Sequence, residues 1–508
     1  MAEKVGADAK AAFFLLLILA GIASILDVGI IGWIVGPICI LLGWFAILRA
    51  PLRATMLTLM FFALILENPA EIPAAGQWQS PFYTLGAVML THLKKVIGGP
   101  WFFGCMDLML LAAGVKWYLG SRRRVGIATP KPMIRLAQYC YATIVFTFLI
   151  GKIHGGADNS MAIWQIDRVM YLPAVFLLCQ AAFTGPNDYI AVGKVAFTAA
   201  ILRSLQAMYV RAVVPEVFDP VYQESSLPYT TTHHDSILFA TGTVIIVAML
   251  VSRVGRKRWL WPTLLGGPIL MGGMIANDRR LVWIDIAFSL IAIYFITEQN
   301  AFKRKLQKVV MLMVPVVAGY IAVGWGSTGG IFKPVQIIRS AVDSSSDGST
   351  AWRDLENFNL IYTIKGRPIV GVGYGHGFWE AWPLPEVNYE LERFIPHNSI
   401  LGLWCYGGYI GYTGITLLWV GGMYFAIRAY YKSKVPLEKA AGLVAMSVVI
   451  VYYSQCFGDL GLGAWTCVFL VSPALAIACK LAVKNGGWTT PAVARAQAPA
   501  ATAAGPSA

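Results

Sequence analysis

Pro396-His397-Asn398-Ser399 leads directly into Ile400-Leu401-Gly402-Leu403-Trp404-Cys405-Tyr406-Gly407-Gly408-Tyr409-Ile410-Gly411-Tyr412-Thr413-Gly414-Ile415-Thr416-Leu417-Leu418-Trp419-Val420, and no charge appears before Arg428. A helix needs about 20 predominantly apolar residues to cross the hydrocarbon of a bilayer, so this stretch predicts a membrane span over 408–428 with a polar knot at its entrance. Apolar runs of similar length recur from Ala11 to Val483. The 508 residues are 57% hydrophobic and only 13% charged, about half the charge density of a soluble domain. No polar linker divides the chain into compact units. The composition excludes a soluble enzyme and predicts a polytopic membrane protein.

The expected fold is all-α, with about 14 transmembrane helices. They are placed near 12–28, 29–48, 54–68, 101–120, 134–152, 169–184, 189–211, 236–252, 259–276, 281–297, 307–325, 408–428, 437–455 and 463–482. The first run lacks an Ala-x-Ala exit and leads straight into a second span, so no cleavable signal peptide is expected. Basic clusters at Arg49/Arg53, Arg122-Arg123-Arg124, Arg253 with Arg256-Lys257-Arg258, Lys303-Arg304-Lys305 and Lys432/Lys434 fall between alternate pairs of spans. The positive-inside rule makes that side, and both termini, cytoplasmic. The formal charge of +14 is thereby explained by topology, and no nucleic-acid partner is expected. On the opposite face one large loop, 326–398, separates the eleventh and twelfth helices. Loops of that length are usually functional or disordered, and its Trp, Tyr and Phe content favours a folded one that forms part of a site. The chain is read as an N-terminal transmembrane half (1–258), helices 9–11 with an outer arginine turn (259–325), the large loop (326–398), C-terminal helices (399–484) and a disordered Ala/Pro-rich tail (485–508).

The eight cysteines form no C-x-x-C pair or loop framework, so neither a disulfide scaffold nor a zinc site is expected. The outer loops lack the Asp-x-Asp that would hold a divalent cation on a pyrophosphate, which favours chemistry without metal or cofactor. Four constellations remain. Asn277-Asp278-Arg279-Arg280 places two arginines at the outer surface, where interfacial snorkelling with Asp278 capping the next helix competes with a clamp for lipid-linked phosphate. Asp285, inside the tenth span, is expected to orient one of these arginines. His397 precedes a helix that Asn398 or Ser399 can cap, and a neutral imidazole there can accept a proton from a hydroxyl. Ser349-Thr350-Ala351-Trp352-Arg353, with Asn357, precedes the glycine string Gly371, Gly373, Gly375 and Gly377. No βαβ unit accompanies these glycines, so the string is read as a turn with close backbone approach to a ligand and not as a dinucleotide loop. Thr232-His233-His234-Asp235-Ser236 opens the eighth span, with capping by Asp235 or Ser236 and substrate binding by His233 and His234 as the alternatives.

In their order, the outer arginine turn, Arg353, Pro368-Ile369-Val370-Gly371-Val372-Gly373, His397-Asn398-Ser399 and the helix bearing Gly407, Gly408 and Gly411 resemble the O-antigen ligase and Wzy-type polysaccharide polymerase superfamily of bacterial inner-membrane glycan transferases. The likeness covers about 260–430, and the arginine turn departs from the family's Ser-Arg-Gly-like form. It implies a membrane glycosyltransferase of GT-C-like type. Such an enzyme moves a glycan from an undecaprenyl-pyrophosphate-linked donor to a glycan or lipid A–core acceptor at the periplasmic face, alongside partners in polysaccharide export. His397 would be the base, and Arg353, Arg280 and Arg279 would stabilise the leaving pyrophosphate. Asn398, Asn357, His233 and His234 would bind substrate, and Tyr374, Trp379, Trp382 and Tyr389 would stack on sugar faces or else pack the loop onto the membrane domain. Polymerase is favoured over ligase because the Ser-Thr-Ala-Trp-Arg run looks more like that of capsule and exopolysaccharide polymerases. A lipid-linked oligosaccharide flippase is the reading from another class, disfavoured by the scarcity of intramembrane charge.

Overall fold

The computed structural model describes residues 10–12, 14–15, 18–19, 21, 30–67, 86, 89–90, 104–120, 126–213, 231–232, 234–299, 301–327, 329–332, 335, 339, 348–385 and 393–489. Most of the expected first span, the Arg122–Arg124 cluster, His233, Tyr389 and all but the start of the C-terminal tail lie outside these residues.

The regular elements are helices: α1 (Ile30–Arg49), α2 (Leu52–Leu66), α3 (Cys105–Leu119), α4 (Lys131–His154), α5 (Asn159–Ala182), α6 (Asp188–Val213) and α7 (Asp235–Val251). α8 starts at Arg256–Trp261, passes a π turn at Pro262–Gly266 and continues as Gly267–Asn277. Then follow α9 (Leu281–Ile296), α10 (Ala301–Gly324), α11 (Gly348–Gly366), α12 (Ser399–Lys432), α13 (Pro436–Gly458) and α14 (Trp465–Lys484). Eight of these, α4, α5, α6, α8, α10, α12, α13 and α14, are long and apolar enough to cross a membrane, and α2, α7 and α9 are shorter apolar helices. Among the described residues the chain is all-helical, and its long apolar helices are those of a membrane protein. Two starts differ from the sequence expectation. α5 begins at Asn159, not near 169, because Asp158 caps it through Ser160 and Met161 N–H (2.7 and 3.1 Å) and its first turns carry Gln165, Asp167 and Arg168, which dilute the apolar signal. α12 begins at Ser399, not near 408, with Asn398 as its cap.

α14 is the axis of the bundle. Every side chain from Trp465 to Val483 is buried, as expected for a helix apolar on all sides. Its first backbone N–H groups, at Trp465 and Thr466, donate to the Glu67 carboxylate at 2.8 and 2.7 Å. At the other end, Lys480 reaches Ile127 O (2.6 Å) and Lys484 pairs with Glu438 (2.5 Å). α10 is the opposite case. Its side chains from Met311 to Gly319 are all exposed, which suits an apolar helix solvated by lipid.

α12 is two helices in one. Gly408 takes φ +60°, ψ −164°, a conformation that an L-residue with a side chain rarely adopts. The break frees carbonyls below it and N–H groups above it, which must be paired elsewhere. The glycine string does so. Val372 and Gly373 N–H donate to Cys405 O and Tyr406 O (3.0 and 2.8 Å), while Tyr409 and Ile410 N–H donate to Pro368 O and Ile369 O (2.8 and 3.3 Å). A Cβ on Gly373 would lie 2.1 Å from Gly151 N on α4, and one on Gly371 would lie 2.3 Å from Tyr406 O. These glycines therefore serve a close approach to the protein's own backbone. The expected approach to a ligand is corrected by this packing.

Candidate functional site

α11, inside the large loop, organises the site. Trp352 and Glu356 lie four residues apart on one stripe of this helix, and Arg353 and Asn357 form the adjoining stripe. Glu356 is 1% exposed. Its carboxylate accepts the His397 backbone N–H at 3.1 and 3.2 Å and faces His397 Nδ1 at 3.3 Å. Trp352 packs edge-on against the same imidazole, with ring centroids 5.0 Å apart. Nδ1–H is thereby assigned to Glu356, and Nε2 is the nitrogen left for a substrate. A carboxylate is therefore the nearest electrostatic partner of this ring. Asn398 Oδ1 accepts Leu401 N–H as the α12 cap (3.1 Å), and its amide donates to Asn357 Oδ1 at 3.1 Å. The two asparagines thus lock α11 onto the entrance of α12.

The adjoining stripe reaches the arginine turn through a residue that the sequence did not single out. Asp459, directly after α13, lies 2.6 Å from Arg279 Nη2 and 3.8 Å from Arg353 Nη2 through the same oxygen, Oδ2. Asp459 is 3% exposed, whereas Arg353 and Arg279 are partly open. Two guanidinium groups far apart in sequence are therefore gathered on one carboxylate, beside the helix that holds His397. Arg280 forms the N-cap position of α9 and is exposed. Asp278 does not cap α9. It ends α8 in the left-handed conformation, φ +48°, and its neighbour Asn277 fastens the turn to α7 through Thr232 O (3.1 Å).

Several expectations are redistributed. Asp285 does not orient an arginine: its neighbour is the Ser454 hydroxyl of α13, and Asp459 takes the position expected of it. His234 is buried, with Nε2 3.1 Å from Leu460 O, so it pins the loop that carries Asp459. Asp235 does not cap α7. It accepts both Arg203 Nε contacts (3.0 and 2.8 Å) in a fully buried pair. Tyr374 is 5% exposed and packs near Tyr406, with its N–H on Thr147 O (3.2 Å). Burial pushes its phenol up, and the ring offers no open face to a sugar. Trp379 is 40% exposed and lies under the Arg367 guanidinium at 5.9 Å. The segment bearing Trp379 and Trp382 is clasped by Asn359, which accepts Ala381 and Trp382 N–H at 3.0 and 3.1 Å.

Beside the arginine turn, a cleft of about 450 Å³ between α6 and α8 is lined by Met208, Arg211, Gly272, Ile275 and Asp278. Glu356, Asp459 and Asn359 are the residues that sequence reasoning missed. Glu356 had a trace, being four residues after Trp352 on a helix whose face was not recognised. Asp459 had none, since its partners lie on other elements. A scan against protein-family models finds no match for the chain, and no curated protein matches it.

Proposed function

We propose that this protein is a membrane glycosyltransferase that transfers a glycan from undecaprenyl pyrophosphate to a sugar hydroxyl at the periplasmic face, polymerising repeat units. The observation that carries the reading is the convergence of Arg279 and Arg353 on Asp459, next to a helix whose Glu356 orients His397. The acceptor hydroxyl attacks the anomeric carbon, and its proton passes to His397 Nε2. The bond from that carbon to the pyrophosphate oxygen breaks, and the leaving group takes the electron pair. Pyrophosphate is already a good leaving group, so it needs charge stabilisation more than a proton. Guanidinium groups supply that stabilisation in bidentate geometry and stay charged near lipid. Asp459 holds the two guanidinium groups side by side for the pyrophosphate oxygens. The cleft between α6 and α8 is lined mainly by apolar residues, with Arg211 and Asp278 as its charged ones.

Placing the site in the periplasm rests on the alternation of basic loops, which puts the arginine turn and α11 on the side away from them. The test is purified protein with lipid-pyrophosphate glycan and no energy source. Release of undecaprenyl pyrophosphate that His397→Ala abolishes supports the transferase, and undiminished turnover by that variant removes His397 as the base. Deletion strains separate the acceptors. Loss of a polymerase leaves single repeats on the acceptor, whereas loss of a ligase leaves long lipid-linked polymer and uncapped lipid A–core. Unchanged surface glycans would end both readings.

A further inference from the structure

α9 turns one polar stripe into the bundle. Val282, Asp285, Ser289 and Ile293 are its buried side chains, while Trp283, Ile284, Phe288, Ile291 and Phe295 face outward. Asp285 and Ser289 are 0% exposed; among the described residues the serine hydroxyl has no hydrogen-bond partner, and the Asp285 carboxylate meets the Ser454 hydroxyl but no cation. Ser454 of α13 lies beside Asp285. The next residue, Gln455, is also 0% exposed with both side-chain amide atoms unpartnered. An ionised carboxylate in this setting is costly unless something positive accompanies it. The acidic neighbours have their cations already: Arg203 is committed to Asp235, and Arg279 to Asp459. Among the described residues, the ionisable groups facing Asp285 from the packed helices are Cys456 on α13 and Cys467 on α14, with Asp235 of α7 beyond Cys467. None of these supplies positive charge.

We propose that Asp285 holds one monovalent cation, a proton or Na⁺, in a site completed by Ser289, Ser454 and Gln455. A carboxylate, hydroxyls and an amide carbonyl are hard oxygen donors, the ligand chemistry of small hard cations. The site lies one to two turns into the membrane from the arginine cluster, since α9 begins directly after Arg280 and α13 ends directly before Asp459. It is independent of the glycosyltransferase reading and is tested without activity.

The full-length protein in detergent is unfolded thermally in NaCl and in choline chloride of equal ionic strength, and its infrared spectrum is recorded across pH 5–9. If Na⁺ is the occupant, the unfolding midpoint rises by several degrees with Na⁺ and the rise saturates. If a proton is the occupant, Na⁺ has no effect and a protonated-carboxyl C=O band is present. In either case Asp285→Asn abolishes the response, and Asp285→Glu, which keeps the charge, retains it. Absence of both responses in the wild-type protein, or their persistence in Asp285→Asn, overturns the site.

Discussion

His397 takes its geometry from Glu356, and the two residues should fail differently. His397→Ala is expected to lower turnover by about 10²–10⁴-fold, the usual contribution of a general base, as measured by release of lipid pyrophosphate. Glu356→Gln keeps the size of the side chain and an acceptor oxygen but loses the charge beside the imidazole. Turnover should then fall by a smaller factor in the same assay. Asp459→Asn should raise the donor KM more than it changes kcat, by about 1.5–3 kcal/mol, the worth of a hydrogen bond to a charged group. Asn398 and His397 were readable from the polar knot before an apolar run. Glu356 and Asp459 were not, because an ion pair between residues of distant elements leaves no local pattern.

Among the elements, α12 shows most clearly how sequence and structure divide the work. Its apolar length marked it as a span, while Gly407, Gly408 and Gly411 counted only toward the resemblance and signalled no break. Where the helix breaks, and what fills the break, depends on the strand-like run Pro368–Gly373 lying against Cys405–Ile410. Gly408→Ala should therefore be severe. Its Cβ would lie 2.2 Å from Ile369 C in a backbone conformation reserved for glycine, and strain of this kind costs about 1–3 kcal/mol before the clash is counted. A lowered melting midpoint in detergent, with the helical circular dichroism signal at low temperature retained, is the expected result. Gly414→Ala, which would bring Cβ within 2.0 Å of Thr143 Oγ1, tests the helical part of the same element and should be milder, because a rotamer change in Thr143 relieves it.

For the whole molecule, the two ends of the bundle are fastened by different chemistry. One end is tied by basic side chains: Arg53 to Asp188 (2.7 Å), Lys484 to Glu438, and Lys480 to Ile127 O and Thr129 Oγ1. The other is tied by carboxylates: Glu67 on the start of α14, Asp235 on Arg203 and Asp459 on two arginines. Glu67→Ala should destabilise the fold by about 0.5–2 kcal/mol, the cost of losing a helix N-cap, and should do so without changing the site's geometry. Removing the Arg203 side chain is expected to be worse, about 3–5 kcal/mol, because it leaves Asp235 buried without a counter-charge. Thermal unfolding of the two variants side by side checks that ranking.

Hydrophobic length and the placement of basic residues determined by themselves that this chain is helical and membrane-embedded, because a bilayer requires every spanning backbone group to be paired within its own helix. Both signals are local and survive without knowledge of neighbours. Which residues meet was decided only by the tertiary structure. The gathering of Arg279 and Arg353 on Asp459, the hold of Glu356 on His397, and the repair of the Gly408 break by the glycine string each join segments far apart in the chain. A hydrogen bond or ion pair of this kind forms where folding brings two groups within about 3 Å, and one strand of sequence carries no record of that distance.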